Sequence, residues 1–158
     1  MTMIRPVTAA DAAAICAIYN HYVLHTTANF EEQTIPPELM AAHIAAYELP
    51  WLVLEEAGQV LAYAYAGPCP AYRGAADTSI YVAPGATGRG LGPAIYRQLL
   101  DLLRARGLHS VLAGIVLPNR ASVALHERLG FRKVGHFEEV GWKRDAWLDV
   151  GYWQLKLS

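Results

Sequence analysis

Between Ser79 and Leu100 the chain reads SIYVAPGATGRGLGPAIYRQLL, with glycine at 85, 88, 90 and 92. The run before these glycines suits a strand, and the run after them suits a helix. Glycine adopts backbone angles that other residues avoid and lets another group come close, at a cost in chain entropy. A bound anion would offset that cost, because a helix start presents free N–H groups and the positive end of the helix dipole. Two familiar phosphate loops fail here. Gly85 and Gly90 have the P-loop spacing, but Leu91-Gly92 follow where Lys-Ser/Thr is required. The dinucleotide fingerprint needs Gly or Ala at 93, where Pro93 stands, and the next strand, SVLAGIVL, offers no ribose-binding acid.

The flanking segments predict an α/β domain spanning 1–158, of a length that buries a sizeable core. MTMIRPV reads as a strand, followed by a helix over about 9–25 capped by Thr8 or Asp11, with Ile15, Ile18, Tyr19 and Tyr22 at helical spacing. Pro36-Pro37 opens a second helix, PPELMAAHIAAYEL. Two strands turn around Ala57-Gly58-Gln59, and ADTSIYVAP is a further strand ended by Pro84. After the glycine loop come a helix ended by Gly107, the apolar strand SVLAGIVL, and a helix from Asn119 to Leu129. Two last strands surround Lys143-Arg144-Asp145. The order β-α-α-β-β-β-α-β-α-β-β implies a mixed sheet with helices packed on it.

A net charge of -1 gives no bulk attraction to nucleic acid or an anionic membrane. No run reaches about 18 apolar residues, and the N-terminus lacks signal-peptide order. Cys16 and Cys69 have no CxxC partner, so a cytoplasmic protein is expected. His21 and His25 lie four apart with no third ligand, and no metal site is expected. Trp51, Trp142, Trp147 and Trp153 read mostly as core or sheet packing, with Trp147 near a substrate mouth.

The segments IRPVTAADAAAICAIYNHYV, TTANFEE, AYRGAADTSIYV, GRGLG, GIVLPNRASVALHERLGF and VGWKRDAWLDVGYWQLKL resemble, in order, the GNAT superfamily of N-acetyltransferases. More narrowly they resemble its phosphinothricin and methionine sulfoximine branch. That family's pyrophosphate loop, (Gln/Arg)-x-x-Gly-x-(Gly/Ala), matches Thr87-Gly88-Arg89-Gly90-Leu91-Gly92 except at its first position. The resemblance implies a mostly antiparallel sheet splayed at an acetyl-CoA site, with helices on both faces. It places Gly88, Arg89, Gly90, Leu91, Gly92, Pro93 and Asn119 against the coenzyme, and the backbone of Ile80, Tyr81 and Val82 along its pantetheine arm.

For the chemistry, the resemblance makes Asp77 the base, where the branch has Glu. Shortening by one methylene favours proton transfer through water. His126 stands seven residues after Asn119, where the wider family has a Tyr acid and the branch has His; a solvated helix face or a helix–helix hydrogen bond accounts for it as well. Asp77 and Ser79 share one strand face by the two-residue period. The acceptor pocket is expected to take in Phe30, Glu31, Tyr72, Arg73, Asp77, Thr78 and Ser79. Arg73 could grip a substrate carboxylate through two parallel hydrogen bonds, or lie solvated in its loop. The expected activity is acetyl transfer to the amine of a small amino-acid-like substrate, by a homodimer. A peptide N-terminal acetyltransferase and a non-catalytic coenzyme A sensor are the alternatives.

Overall fold

Alternation along the strands decides which helix each side chain meets. In the computed structural model, which describes residues 1–157, the chain forms β1 (Thr2–Pro6), α1 (Ala12–His25), α2 (Pro37–Ala46), β2 (Trp51–Glu56), β3 (Gln59–Pro68) and β4 (Ala75–Val82). It continues through α3 (Leu91–Ala105), β5 (Ser110–Leu117), α4 (Arg120–Arg128), β6 (Arg132–Lys143) and β7 (Ala146–Lys156). The element order is the expected one. The strands make one seven-stranded sheet in the order β1-β2-β3-β4-β5-β7-β6. Every neighbouring pair is antiparallel except β4 with β5.

On β4, Ala76, Ile80 and Val82 join the core under α3, whereas Tyr81 packs toward α1. The α3 stripe of Ile95, Tyr96, Leu99 and Leu103 is fully buried on the first face. Ile15, Cys16 and Ile18 of α1, with Met40 of α2, cover the other against Trp51, Val53 and Tyr63. Helices on both faces keep the sheet's two sides chemically distinct.

Two helix ends differ from the sequence reading. The first helix opens with a 3-10 turn over Ala9–Asp11 before α1 begins. There the Asp11 carboxylate accepts from the Thr8 amide at 2.8 Å and from two Arg5 nitrogens at 2.9 and 2.8 Å. Arg5 also reaches Glu55 at 3.0 Å, tying β1, β2 and α1 together. This pairing holds the Asp11 carboxyl below its ordinary range. Second, α2 ends at Ala46 rather than running on toward Leu49. Pro50 biases the preceding residues toward extended backbone. Tyr47, already extended, lays its ring over Gly67, 3.7 Å from where a Cβ would stand.

The tryptophans divide. Trp51 and Trp153 are buried, but Trp142 and Trp147 are 48% and 58% exposed and pair edge to face on the β6–β7 hairpin. This corrects their expected place in the core, while their packing on the sheet holds: they are cross-strand partners at the end of the β6–β7 hairpin and cover each other in part.

Candidate active site

Strands β4 and β5 pair at only three positions, Ala75↔Ser110, Ala76↔Val111 and Asp77↔Leu112. Beyond Asp77 they diverge, β5 staying on β7 while β4 stays on β3. The gap is a cleft of about 310 Å³, bordered by Ser79 to Val82 on one side, Ala113 to Val116 on the other, and Asn119 and His126 at its end. The edge of β4 that faces it offers hydrogen-bonding groups with no ladder partner. Ala83 donates its amide to Leu61 of β3, so alternation turns the N–H and C=O of Val82 toward the cleft side. There the Tyr22 hydroxyl donates to the Val82 carbonyl.

The glycine loop closes one end of this cleft. Gly88 and Gly90 both adopt φ of 77°, a left-handed conformation that disfavours a Cβ. Gly90 is the N-cap of α3, whose first-turn amides have no partner within the helix. Arg89 is held by an ion pair with Glu56 at 2.6 Å. Gly92 is buried where a Cβ would touch Ile80, Val82 and Leu125, so it seats α3 against the cleft wall. Asn119 caps α4, its side-chain oxygen accepting from the Ser122 amide at 3.1 Å.

A model of the acetyltransferase (GNAT) domain matches residues 4–151. A phosphinothricin N-acetyltransferase from Streptomyces viridochromogenes is 42% identical, across 96% of this chain and 85% of that protein. An L-methionine sulfoximine/L-methionine sulfone acetyltransferase from Salmonella typhimurium is 40% identical, across 98% and 94%. A putative acetyltransferase from Salmonella typhimurium, solved with acetyl-CoA, superposes with a TM-score of 0.95 at 39% identity, over 99% of this chain and 94% of that one. The chain belongs to the GNAT acetyltransferase family.

Within this GNAT domain, β4 separates two sets of groups. Asp77, Ser79 and Tyr81 face α1 and α2, while Thr78 faces α3 and is buried. Thr78 therefore does not stand beside Asp77, against the expectation that both contact the acceptor. Its hydroxyl meets the Tyr96 hydroxyl, and Tyr96 lies 2.9 Å from His126 Nε2. His126 is 4% exposed, which excludes the solvated face and leaves the helix–helix hydrogen bond, from α3 to α4. Its Nδ1 is 2.8 Å from the Ser122 carbonyl, which only accepts, so Nδ1 carries the proton. Nε2 then accepts from Tyr96, whose oxygen accepts from Thr78. Burial holds the imidazole pKa below its ordinary value, keeping it neutral.

Tyr96 was not singled out in the sequence, where it sits within the apolar stripe of α3. A buried tyrosine hydroxyl needs a partner, and that requirement was the available signal. Tyr96→Phe should destabilise the fold by about 1–3 kcal/mol, because it strands Thr78 and His126 together. Chemical denaturation measures this; an unchanged midpoint would show the chain of hydroxyls to be unimportant.

On the acceptor side, partial burial raises the Asp77 carboxyl above its ordinary range, opposed by a hydrogen bond from Cys69. The α1–α2 loop crosses this face. Lys143, 3% exposed, donates to the Asn29 carbonyl at 3.0 Å, and Phe30 packs so closely on Gly141 that no Cβ fits. Glu31 follows at the rim of a second hollow. Tyr72 and Arg73 stand apart from the cleft, in the exposed β3–β4 turn. No helix among the described residues is long and apolar enough to cross a membrane.

Proposed function

We propose that this chain transfers the acetyl group of acetyl-CoA to the α-amine of a free amino acid. The observation that carries the reading is the splayed seam, in which one strand, β4, borders the cleft and presents Asp77 at its start. The relatives' names add the acceptor class. Gly88 to Gly92 would hold the coenzyme pyrophosphate on free amides, with Arg89 keeping the loop in place and Asn119 beside it. Ile80, Tyr81 and Val82 would take the pantetheine as an added strand, and the Val82 N–H would polarise the thioester carbonyl.

Asp77 accepts the ammonium proton through a water, the freed amine attacks the carbonyl carbon, and the carbon–sulfur bond breaks. The attacking nitrogen loses its second proton to solvent, and the departing thiolate takes one from solvent, so the amide and the free thiol leave with one proton held on Asp77. His126, with both nitrogens engaged, is a positioning residue that holds Tyr96 and Thr78 at the wall of the cleft. Arg73, exposed in the turn that leads into β4, would take the acceptor carboxylate from outside the cleft. The protein acts in the cytoplasm as a homodimer joined through β6, the edge strand where Phe137, Val140 and Trp142, with Trp147 of β7, are exposed.

A turnover screen with acetyl-CoA over free amino acids, their methyl esters and short peptides tests the reading. Free amino acids should be acetylated fastest. Equal rates on an amino acid and its methyl ester would overturn carboxylate recognition and favour a peptide acceptor. Light scattering in solution should give twice the chain mass, and a monomer would exclude the homodimer.

A further inference from the structure

The α1–α2 loop divides the two sides of the reaction. Ala28 borders the coenzyme cleft, Phe30 a groove beside Phe137 and Trp142, and Glu31 the second hollow. Both ends of the loop are held by α1 itself. At one end the Thr26 hydroxyl donates to the Tyr22 carbonyl at 2.8 Å and accepts from the Ala28 amide at 3.1 Å. At the other the Asn20 carboxamide pairs with the Ile35 amide and carbonyl at 3.0 and 2.9 Å. Between them, among the described residues, Asn29 alone hydrogen-bonds to the rest of the chain.

The group that meets Asn29 comes from the other half of the sheet. β7 pairs with β5 only from Asp149 onward, so the β6–β7 turn projects beyond Leu117, away from the seam at Ala75 to Asp77. Arg144 and Asp145 are both left-handed, at φ of 52° and 59°, in the tight turn that suits strand twist. Alternation puts Trp142 and Lys143 on opposite faces of this tip, Trp142 half exposed and Lys143 buried. Lys143 Nζ donates to the Asn29 carbonyl at 3.0 Å and to its side-chain oxygen at 3.4 Å. Arg144 donates to the Leu24 carbonyl, in the last turn of α1, at 3.2 Å.

A buried ammonium is costly unless its protons are accepted. Lys143 has no carboxylate within ion-pair distance among the described residues. Burial lowers its pKa; Glu31 and Glu32 favour the charge from farther off, and Arg144 opposes it. Asn29 passes the hold on. Its side-chain oxygen also accepts from the Glu31 amide at 3.1 Å, and two donors on that oxygen fix which way the carboxamide points. Its Nδ2 then donates to the Tyr81 hydroxyl at 3.4 Å. Tyr81 shares its face of β4 with Asp77 and Ser79 and borders the cleft.

We infer that Lys143 is a positioning residue for the acceptor: from β6 it fixes Asn29, which sets Glu31 and the Tyr81 hydroxyl where the amine enters. This rests on the reading above that the amine is taken up beside Asp77. The coenzyme is held by the β4 backbone and the glycine loop, to which Lys143 makes no hydrogen bond. The two substrates therefore respond differently to its loss.

Lys143→Met keeps the stem and removes the donors. With whichever amine the wild type acetylates fastest, be it amino acid, methyl ester or peptide, KM for that amine should rise about tenfold. Its kcat and its KM for acetyl-CoA should stay as in the wild type. Amide exchange at Glu31, followed by NMR, should quicken while that of β2 and β3 holds. Asn29→Ala breaks the same relay from its other end, so the double variant should raise KM by less than the product of the two. Should Lys143→Met fail to fold, Asn29→Ala, in the half-buried loop, carries the KM test. An unchanged amine KM, an equal loss of kcat and coenzyme affinity, or an unchanged Glu31 exchange rate overturns the proposal. A preference for esters or peptides over free amino acids overturns the amino-acid reading instead and leaves this test in force.

Discussion

Asp77→Asn is expected to lower turnover by roughly two to four powers of ten, the usual worth of a positioned acid–base group. The substitution preserves size and leaves the β4 backbone intact, so acetyl-CoA affinity should hold. Asp77 lies where β4 and β5 make their last pairing, on the face opposite Thr78, and removing its charge does not touch the Thr78–Tyr96–His126 chain. The pH profile supplies the sign. Burial raises the Asp77 carboxyl above its ordinary range, and only the ionised form accepts a proton. The wild-type kcat/KM should therefore fall as pH drops through that raised value, and the acid limb should vanish in Asp77→Asn. Wild-type turnover in the variant across pH would remove Asp77 as the base.

Gly90→Val should weaken acetyl-CoA binding by at least about tenfold, the loss of one charge-assisted hydrogen bond. No atom lies within 4 Å of a Cβ placed at Gly90, so crowding inside the protein is not the obstacle. The obstacle is its φ of 77°, which a β-branched residue resists. Relaxing that angle swings the first amides of α3 away from the pyrophosphate. Gly90→Asn tolerates left-handed backbone and should lose less. Calorimetry on folded variants reads both, and full affinity in Gly90→Val would sink the loop assignment.

The order of elements was legible because local rules govern it. Strand alternation, the Pro36-Pro37 start of α2 and the glycine loop each act over a few residues. The same two-residue period placed Asp77 and Ser79 together. It also implies that Thr78 faces away from them, an implication obscured by the family pattern that grouped all three. His126 was harder to read. On its own helix it belongs to a polar stripe with Asn119 and Ser122, and only Tyr96 from α3 shows why a polar side chain is buried there. Trp142 and Trp147 mislead in the opposite direction. Their composition suggests core, but they sit next to the turn of the β6–β7 hairpin, where they pack on each other and stay half exposed. The second hollow left no local trace, since it arises where Tyr47 folds back after α2 onto Gly67, twenty residues later.

The sheet is in effect two half-sheets, β1–β4 and β5–β7–β6, hinged on three residue pairs. Under the proposed reaction the pantetheine arm is the rung that completes the ladder, so the coenzyme is a building element as well as a reagent. Acetylated and free coenzyme share that arm, and the join therefore stays filled while the acetyl group leaves. The resilience of the folded chain then tracks the total coenzyme pool, whatever its acetylation state, rising with the logarithm of its concentration over the dissociation constant. Acceptor supply sets how fast the protein works; coenzyme supply sets how long it lasts.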